Sequence, residues 1–278
     1  MKAIDGIKSG RSERDFVASF AKGLLLLSRF TRHQPAMTLS EVARVNHLNL
    51  PTARRYLNTL KQMGFVFYDD QTKRYRLTAK VLCLGGWVLE SMDLRTRLLP
   101  YLSRITNELD ITASCAIIEG GELVFIERTR SKDVVNLDLT AGSRLPIHAT
   151  SLGKAIAAFL SPAELDVLIW QLDFSRYTPN TKTDPEQFRS DLSRIRQRRY
   201  AVTDQELTIG MKSIAVPIFD KYGKVEASFG VSYPCHRPKT DELEQVLIER
   251  LLDISVETSK TIISPPEDEH SHISGGEV

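Results

Sequence analysis

The chain has 278 residues, 42% hydrophobic and 26% charged, with 37 Lys+Arg against 35 Asp+Glu for a formal net charge of +2. That usage excludes collagen-like, low-complexity and disulfide-scaffold classes and leaves room for one large domain or two smaller ones. No apolar run reaches the roughly 20 residues of a membrane-spanning helix, and three widely spaced cysteines, Cys83, Cys115 and Cys235, predict reduced thiols in a cytoplasm.

The near-neutral total conceals an uneven distribution. Residues 1–78 hold 14 Lys+Arg against 6 Asp+Glu, a net of +8, so the rest of the chain carries −6. A small basic unit joined to a larger acidic one points to a nucleic-acid-binding head on a body with a different task.

Residues 1–12 are polar, carry no signal-peptide pattern and are expected to be disordered; the head is expected over 13–78. From Asp15 to Thr31 the spacing of Phe16, Phe20, Leu24 and Leu27 predicts an amphipathic helix with these four on its buried stripe. Thr38 followed by Glu41 is a capping box, with Leu39, Val42 and Ala43 at core spacing behind it. Asn49 caps a third helix with Pro51 in its first turn, running to Met63 and stopping at Gly64. Leu50, Ala53, Leu57 and Leu60 fall on its inner side. Phe65–Tyr68 and Arg74–Leu77 read as a hairpin turning at Asp69-Asp70-Gln71-Thr72.

Helix, short helix, longer helix and hairpin is the winged helix-turn-helix order. The outer side of the third helix presents Thr52, Arg55, Thr59 and Gln62, flanked by Arg54 and Tyr56, without an acidic residue. Arginine can donate bidentately to a guanine edge, and threonine can contact phosphate or a thymine methyl. Lys73, Arg74 and Arg76 of the hairpin suit phosphates beside or in the minor groove. With Thr38 and Pro51 at the two helix starts, these residues form the candidate surface for double-stranded DNA.

Residues 79–93 are mostly apolar, with Val81, Leu84 and Val88 at helical spacing, and predict a linker helix that also packs against a second subunit, a plain core helix fitting the pattern equally well. Over 94–263 the elements alternate. A helix is expected at Leu98–Leu109, strands at Thr112–Ile118 and Glu122–Arg128 joined by Glu119-Gly120-Gly121, and another strand at Val134–Leu139. Helices follow at Ser151–Leu160, Pro162–Gln171 (capped by Ser161 with Glu164) and Pro185–Arg199. Strands Ser213–Phe219 and Val225–Ser232 precede a final helix, Leu243–Ile263. This order predicts an α+β domain around one antiparallel sheet. The Pro/Gly/Ser/acid-rich tail 264–278 is expected to be disordered.

Two long blocks, LTAGSRLPIHATSLGKAIAA (139–158) and YAVTDQELTIGMKSIAVPIFDKYGKVEASFGVSYP (200–234), together with LPTARRYLNTL (50–60), resemble the IclR family of bacterial transcription regulators over about residues 14–262. Glu13-Arg14-Asp15-Phe16 and Asp138-Leu139 look closer to its subgroup regulating protocatechuate and 4-hydroxybenzoate catabolism, whereas Gly153-Lys154 departs from the Gly-Arg expected there. The resemblance implies a winged helix-turn-helix, a dimerisation linker and a C-terminal GAF-like effector-binding domain, working as a homodimer or a dimer of dimers on a pseudo-palindromic operator. It further implies an effector pocket at Ser114, Gly142–Arg144, His148, Thr203, Asp204, Ser213, Gly230 and Ser232. These groups suit a small oxygen-rich ligand, with Arg144 or His148 as the partner of a carboxylate.

Enzyme readings find little support. Ser151-Leu152-Gly153 lacks the nucleophile elbow, Cys235-His236 are neighbours that a strand would point to opposite faces, and no phosphate loop, cofactor motif or metal-ligand spacing is present. The competing reading is a metabolite-binding or enzymatic body whose basic head mediates protein contacts. Salt separates the two, since binding to DNA falls steeply with salt through counterion release.

Overall fold

A computed structural model of the protein describes residues 16–31, 34–85, 93–131, 139–236 and 240–260, and the chain divides into two units between Ser91 and Met92. The sequence expectations for 1–12, for residues 86–92 of the linker, for the 134–138 part of a strand and for the 264–278 tail lie outside the described residues.

In the first unit, helix α1 spans Ala18–Ser28, strand β1 Ala36–Thr38, α2 Leu39–Val45 and α3 Leu50–Gln62, followed by the hairpin β2 (Val66–Asp69) and β3 (Arg74–Leu77). The capping box forms as expected: the Thr38 hydroxyl accepts the Glu41 N–H, and the Glu41 carboxylate accepts the Thr38 N–H at 2.7 Å. Asn49 caps α3 by accepting the Thr52 N–H at 2.9 Å. The three-residue β1, too short to show a periodicity, was not anticipated; it joins the hairpin in a sheet of order β1-β3-β2. Leu26, Leu27, Phe30, Met37, Val42, Leu57, Leu60 and Val66 form the core. Each such side chain contributes about 1.5–3 kcal/mol by leaving water.

Two burial expectations for this unit fail. Phe16, Phe20 and Leu24 are 44%, 68% and 49% exposed, because the core reaches only the last turn of α1, at Leu26 and Leu27. Leu50 is 49% exposed, because it opens α3 ahead of the turn at which Ala53 meets the core. After β3 a 3-10 turn, Ala79–Leu82, leads into the linker with Leu82 and Leu84 exposed.

The second unit is built on a six-stranded antiparallel sheet of order β6-β5-β4-β9-β8-β7. Its strands are β4 Thr112–Glu119, β5 Glu122–Thr129, β6 Arg144–Leu145, β7 Ala201–Asp204, β8 Met211–Phe219 and β9 Val225–Pro234. Helices α4 (Asp93–Leu109), α5 (Ser151–Ala157), α6 (Pro162–Gln171), α7 (Pro185–Arg198) and α8 (Thr240–Lys260) surround it. Helix α4 begins five residues before the expected Leu98, since Pro100 lies on an exposed side and does not end it. Gly120 and Gly121, at φ +60° and +79°, make the two-residue turn between β4 and β5.

Leu152, Ala155 and Ile156 of α5 and Phe188, Leu192 and Ile195 of α7 pack with Ala116, Phe125, Ala201 and Ala215 of the sheet. Alternation sends Ile214 and Val216 to the opposite face, where they are also fully buried. Burial on both faces explains why β8 reads as a nearly continuous apolar run.

Candidate DNA-reading surface and effector cavity

On the head, Pro51, Arg54, Arg55 and Thr59 are exposed along α3 and Thr52 is half-buried. Thr59 donates its hydroxyl proton to the Arg55 carbonyl at 3.0 Å, which leaves its methyl outward. Among the described residues, Arg54, Arg55 and Lys73 have no carboxylate partner, so their charges are available to a polyanion. Lys73 sits at the hairpin tip with φ +55°.

Three expected contacts are already committed elsewhere, and a fourth, Arg76, is only steadied by a neighbour. Arg74 donates to the Ala36 carbonyl at 2.9 Å and pairs with Glu41 at 3.3 Å, bracing β3 to β1 and α2. Thr38 is occupied by the capping box, whose bonds to Glu41 hold that carboxyl below its ordinary pKa. Tyr56 is half-buried on the core, facing Gly23 of α1. Arg76 lies over the Phe67 ring at 4.6 Å, which fixes its stem and leaves its charge at the surface. The residues still free to form the candidate reading group are therefore Thr52, Arg54, Arg55 and Thr59 of α3 with Lys73 and Arg76 of the hairpin.

In the second unit a cavity of about 60 Å³ opens between the sheet and the start of α5. Three expected residues meet there. Thr203 pairs with Ser213 across β7–β8, Ser213 pairs with Ser232 across β8–β9, and the two serine hydroxyls are 2.9 Å apart. Phe125, Leu139, Leu145, Leu152, Leu207 and Met211 supply apolar wall, and Thr150, Ser151, Thr208, Arg128 and Glu206 supply polar wall.

The other expected pocket residues lie off this wall. Ser114 is buried on β4 opposite Gly230, one register step from the cavity. Gly230 is there for close packing, since a Cβ would stand 2.6 Å from the Ile214 carbonyl oxygen and 2.8 Å from the Ala215 Cβ. Gly142 is an exposed turn residue, and Arg144 is spent on Glu119 and Glu122 at the outer edge of the sheet. Asp204 is exposed, 3.9 Å from Lys212. His148 is fully buried between Phe174 and Tyr177, its Nε2 3.0 Å from the Ser175 carbonyl oxygen and its Nδ1 without a partner. Burial pushes its pKa down, so its ring is a neutral packing group and no partner for a carboxylate.

Behind the cavity lies an ionic cluster that sequence reasoning did not anticipate. Lys154, with no exposed surface, donates to Asp191 at 2.9 Å and to Glu206 at 2.7 Å, and Lys182 donates to Asp191 at 2.6 Å. Desolvation pushes the Asp191 pKa up, but Lys154 and Lys182 outweigh it and hold the carboxyl below its ordinary value. Glu206 belongs both to this cluster and to the cavity wall. Among the described residues no group of three His, Cys, Asp or Glu could hold a metal ion, and burial raises the pKa of Cys115, making it a poor nucleophile.

Comparison with known proteins agrees with both halves. Residues 19–70 match the IclR helix-turn-helix domain and residues 86–260 match the bacterial transcriptional regulator IclR C-terminal domain. The Pca regulon regulatory protein of Pseudomonas putida is 33% identical over 90% of this chain and 85% of its own. A crystal structure of a Rhodococcus sp. RHA1 protein is 32% identical with a TM-score of 0.77, covering 89% of this chain and 98% of that one. The Thermotoga maritima IclR structure is 27% identical with a TM-score of 0.68, covering 87% and 98%. The chain belongs to the IclR family of bacterial transcriptional regulators.

Proposed function

We propose that this protein is a cytoplasmic regulator that reads a pseudo-palindromic operator as a homodimer and responds to a small aromatic carboxylate bound in the body cavity. The observation that carries the reading is the composition of that cavity: six hydroxyls, an arginine and a lysine-paired glutamate set among seven apolar side chains, which suits a flat ring bearing oxygen substituents. Likeness to the Pca regulon regulatory protein and to the protocatechuate and 4-hydroxybenzoate subgroup supports the ligand class. The exposed Phe20 and Leu24 of α1, with Phe16 exposed just before it, support a second copy of the head as a neighbour, because apolar surface left in water favours association.

On DNA, Arg54, Arg55 and the Thr52–Thr59 side of α3 enter the major groove while Lys73 and Arg76 hold phosphates. Effector binding shifts DNA affinity by a coupling of about 1–3 kcal/mol, and by reciprocity DNA shifts effector affinity equally. The test joins a gel shift with and without 4-hydroxybenzoate or protocatechuate to a thermal-shift series with the same compounds. A raised melting temperature together with a changed operator affinity is expected. Neither compound altering either quantity would refute the ligand class.

A further inference from the structure

We propose that Arg128, on the inner face of β5, is the anchor that recognises the effector's carboxylate. The assignment rests on the cavity being the effector site and says which end of the ligand goes where.

Arg128 lies opposite Ser114 in the β4–β5 register and lines the cavity with Phe125, its side-chain carbon Cζ 5.8 Å from that ring's centroid. The two share a face only because of a bulge. Cys115 pairs with Glu127 and Ala116 with Phe125, so Ile126 is the extra residue, and the alternation that would separate positions 125 and 128 is reset. Arg128 Nε is sealed from solvent without a hydrogen-bond partner, and no carboxylate among the described residues pairs with the guanidinium. Among the described residues the one acid on the cavity wall, Glu206, is held by Lys154. Burial, with the like charge of Arg130 behind it, pushes the Arg128 pKa down to about 10.

A half-buried cation without a counter-ion is a liability in the free protein, since desolvation opposes its charge and nothing offsets it. An incoming carboxylate removes that penalty and makes charge-assisted hydrogen bonds to the guanidinium. Ser213 and Ser232 then remain for a hydroxyl elsewhere on the ligand, and the apolar wall takes the ring between them.

The experiment compares full-length wild type, Arg128→Met and Arg128→Lys by thermal shift and calorimetric titration with 4-hydroxybenzoate, protocatechuate, adipate and the neutral 4-hydroxybenzamide. Wild type is expected to prefer the carboxylates to the amide. Arg128→Met loses that preference, its Kd for the carboxylate rising about tenfold to a hundredfold, while Arg128→Lys weakens binding and keeps the preference. The ligand-free Arg128→Met protein is expected to melt no lower than wild type, which a merely structural arginine would not allow. Wild type and Arg128→Met binding the carboxylate equally well, or wild type binding amide and acid alike, would overturn the anchor and leave the cavity reading standing. A wild type that binds neither aromatic acid would overturn the ligand class, and one that binds none of the three acids would overturn the anchor with it.

Discussion

Replacing Lys154 by methionine removes the cation that two carboxylates share in the interior. Lys154 has no exposed surface, and the Asp191 and Glu206 side chains are only 7% and 6% exposed. Breaking a buried ion pair from one side costs about 3–5 kcal/mol, because the remaining charge keeps its desolvation penalty and loses its partner. Lys182, 30% exposed, still stands 2.6 Å from Asp191 and 3.8 Å from Glu206, so it offsets part of the loss. The expected cost is therefore near the lower bound, about 3 kcal/mol, which for a domain of this size corresponds to about 6–12 °C in Tm. The acid limb follows from the same contacts. Asp191 titrates below its ordinary value in the folded protein, so its stabilisation is complete above the unfolded-state pKa of 3.8 and is lost as pH falls through the folded one. Scanning calorimetry at neutral and acidic pH reads both effects. A Lys154→Met protein melting within a degree or two of wild type at neutral pH would refute the view that this lysine neutralises the cluster.

On the head, Arg55→Ala is expected to weaken operator binding by about 1–3 kcal/mol and to relax base preference at one position, with Lys73→Ala and Arg76→Ala lowering the salt slope instead; a gel shift across salt concentrations and operator variants separates these roles. Gly230→Ala should destabilise the second unit by about 1–3 kcal/mol, since its Cβ meets the backbone of β8 at 2.6 Å, and urea denaturation that leaves the midpoint unmoved would show that the strands can spread. His148 gives a pH signature of the opposite origin to that of Asp191. Its folded pKa is depressed by burial, so the unfolded chain binds its proton more readily, and stability is full above the ordinary value of 6.5 and declines as pH falls below it. His148→Gln should flatten that part of the stability profile, and an unchanged slope would assign the decline to other groups.

What was legible in the sequence was what short-range chemistry decides. The capping boxes at Thr38/Glu41 and Ser161/Glu164, the Asn49 cap and the Gly120-Gly121 turn are each satisfied within a few residues, and each forms where the spacing put it. The short strands β1, β6 and β7 were not legible, because two to four residues show no periodicity and exist only through their ladder partners. The stripe on α1 was read correctly as apolar and wrongly as buried, since periodicity tells which residues share a side and not what covers it. At the cavity, Thr203, Ser213 and Ser232 could be placed by block resemblance, whereas Arg128 could not. Simple alternation puts it opposite Phe125, and only the bulge at Ile126 returns both to one wall. Arg144, expected as a partner of a carboxylate ligand, has two glutamates beside it that come from the β4–β5 hairpin and are distant in sequence.

Glu206 links the two charge arrangements of the body. A carboxylate on the cavity wall repels an anionic ligand unless its charge is cancelled, and at short range in a partly desolvated site that repulsion is several-fold larger than in water. Lys154 offsets it from behind through two bonds of 2.9 and 2.7 Å, and because Asp191 shares that lysine, Lys182 at 3.8 Å from Glu206 supplies the second positive charge of the cluster. Arg128 stands on the same wall without a carboxylate partner among the described residues. On the proposed reading of the cavity as the effector site, the contrast between a lysine-paired acid and an arginine without a carboxylate partner among the described residues is what favours an anion and sets the direction in which it enters. The lysine at 154, one residue after the glycine that packs against Ile147, therefore sets the sign of the site without lining it.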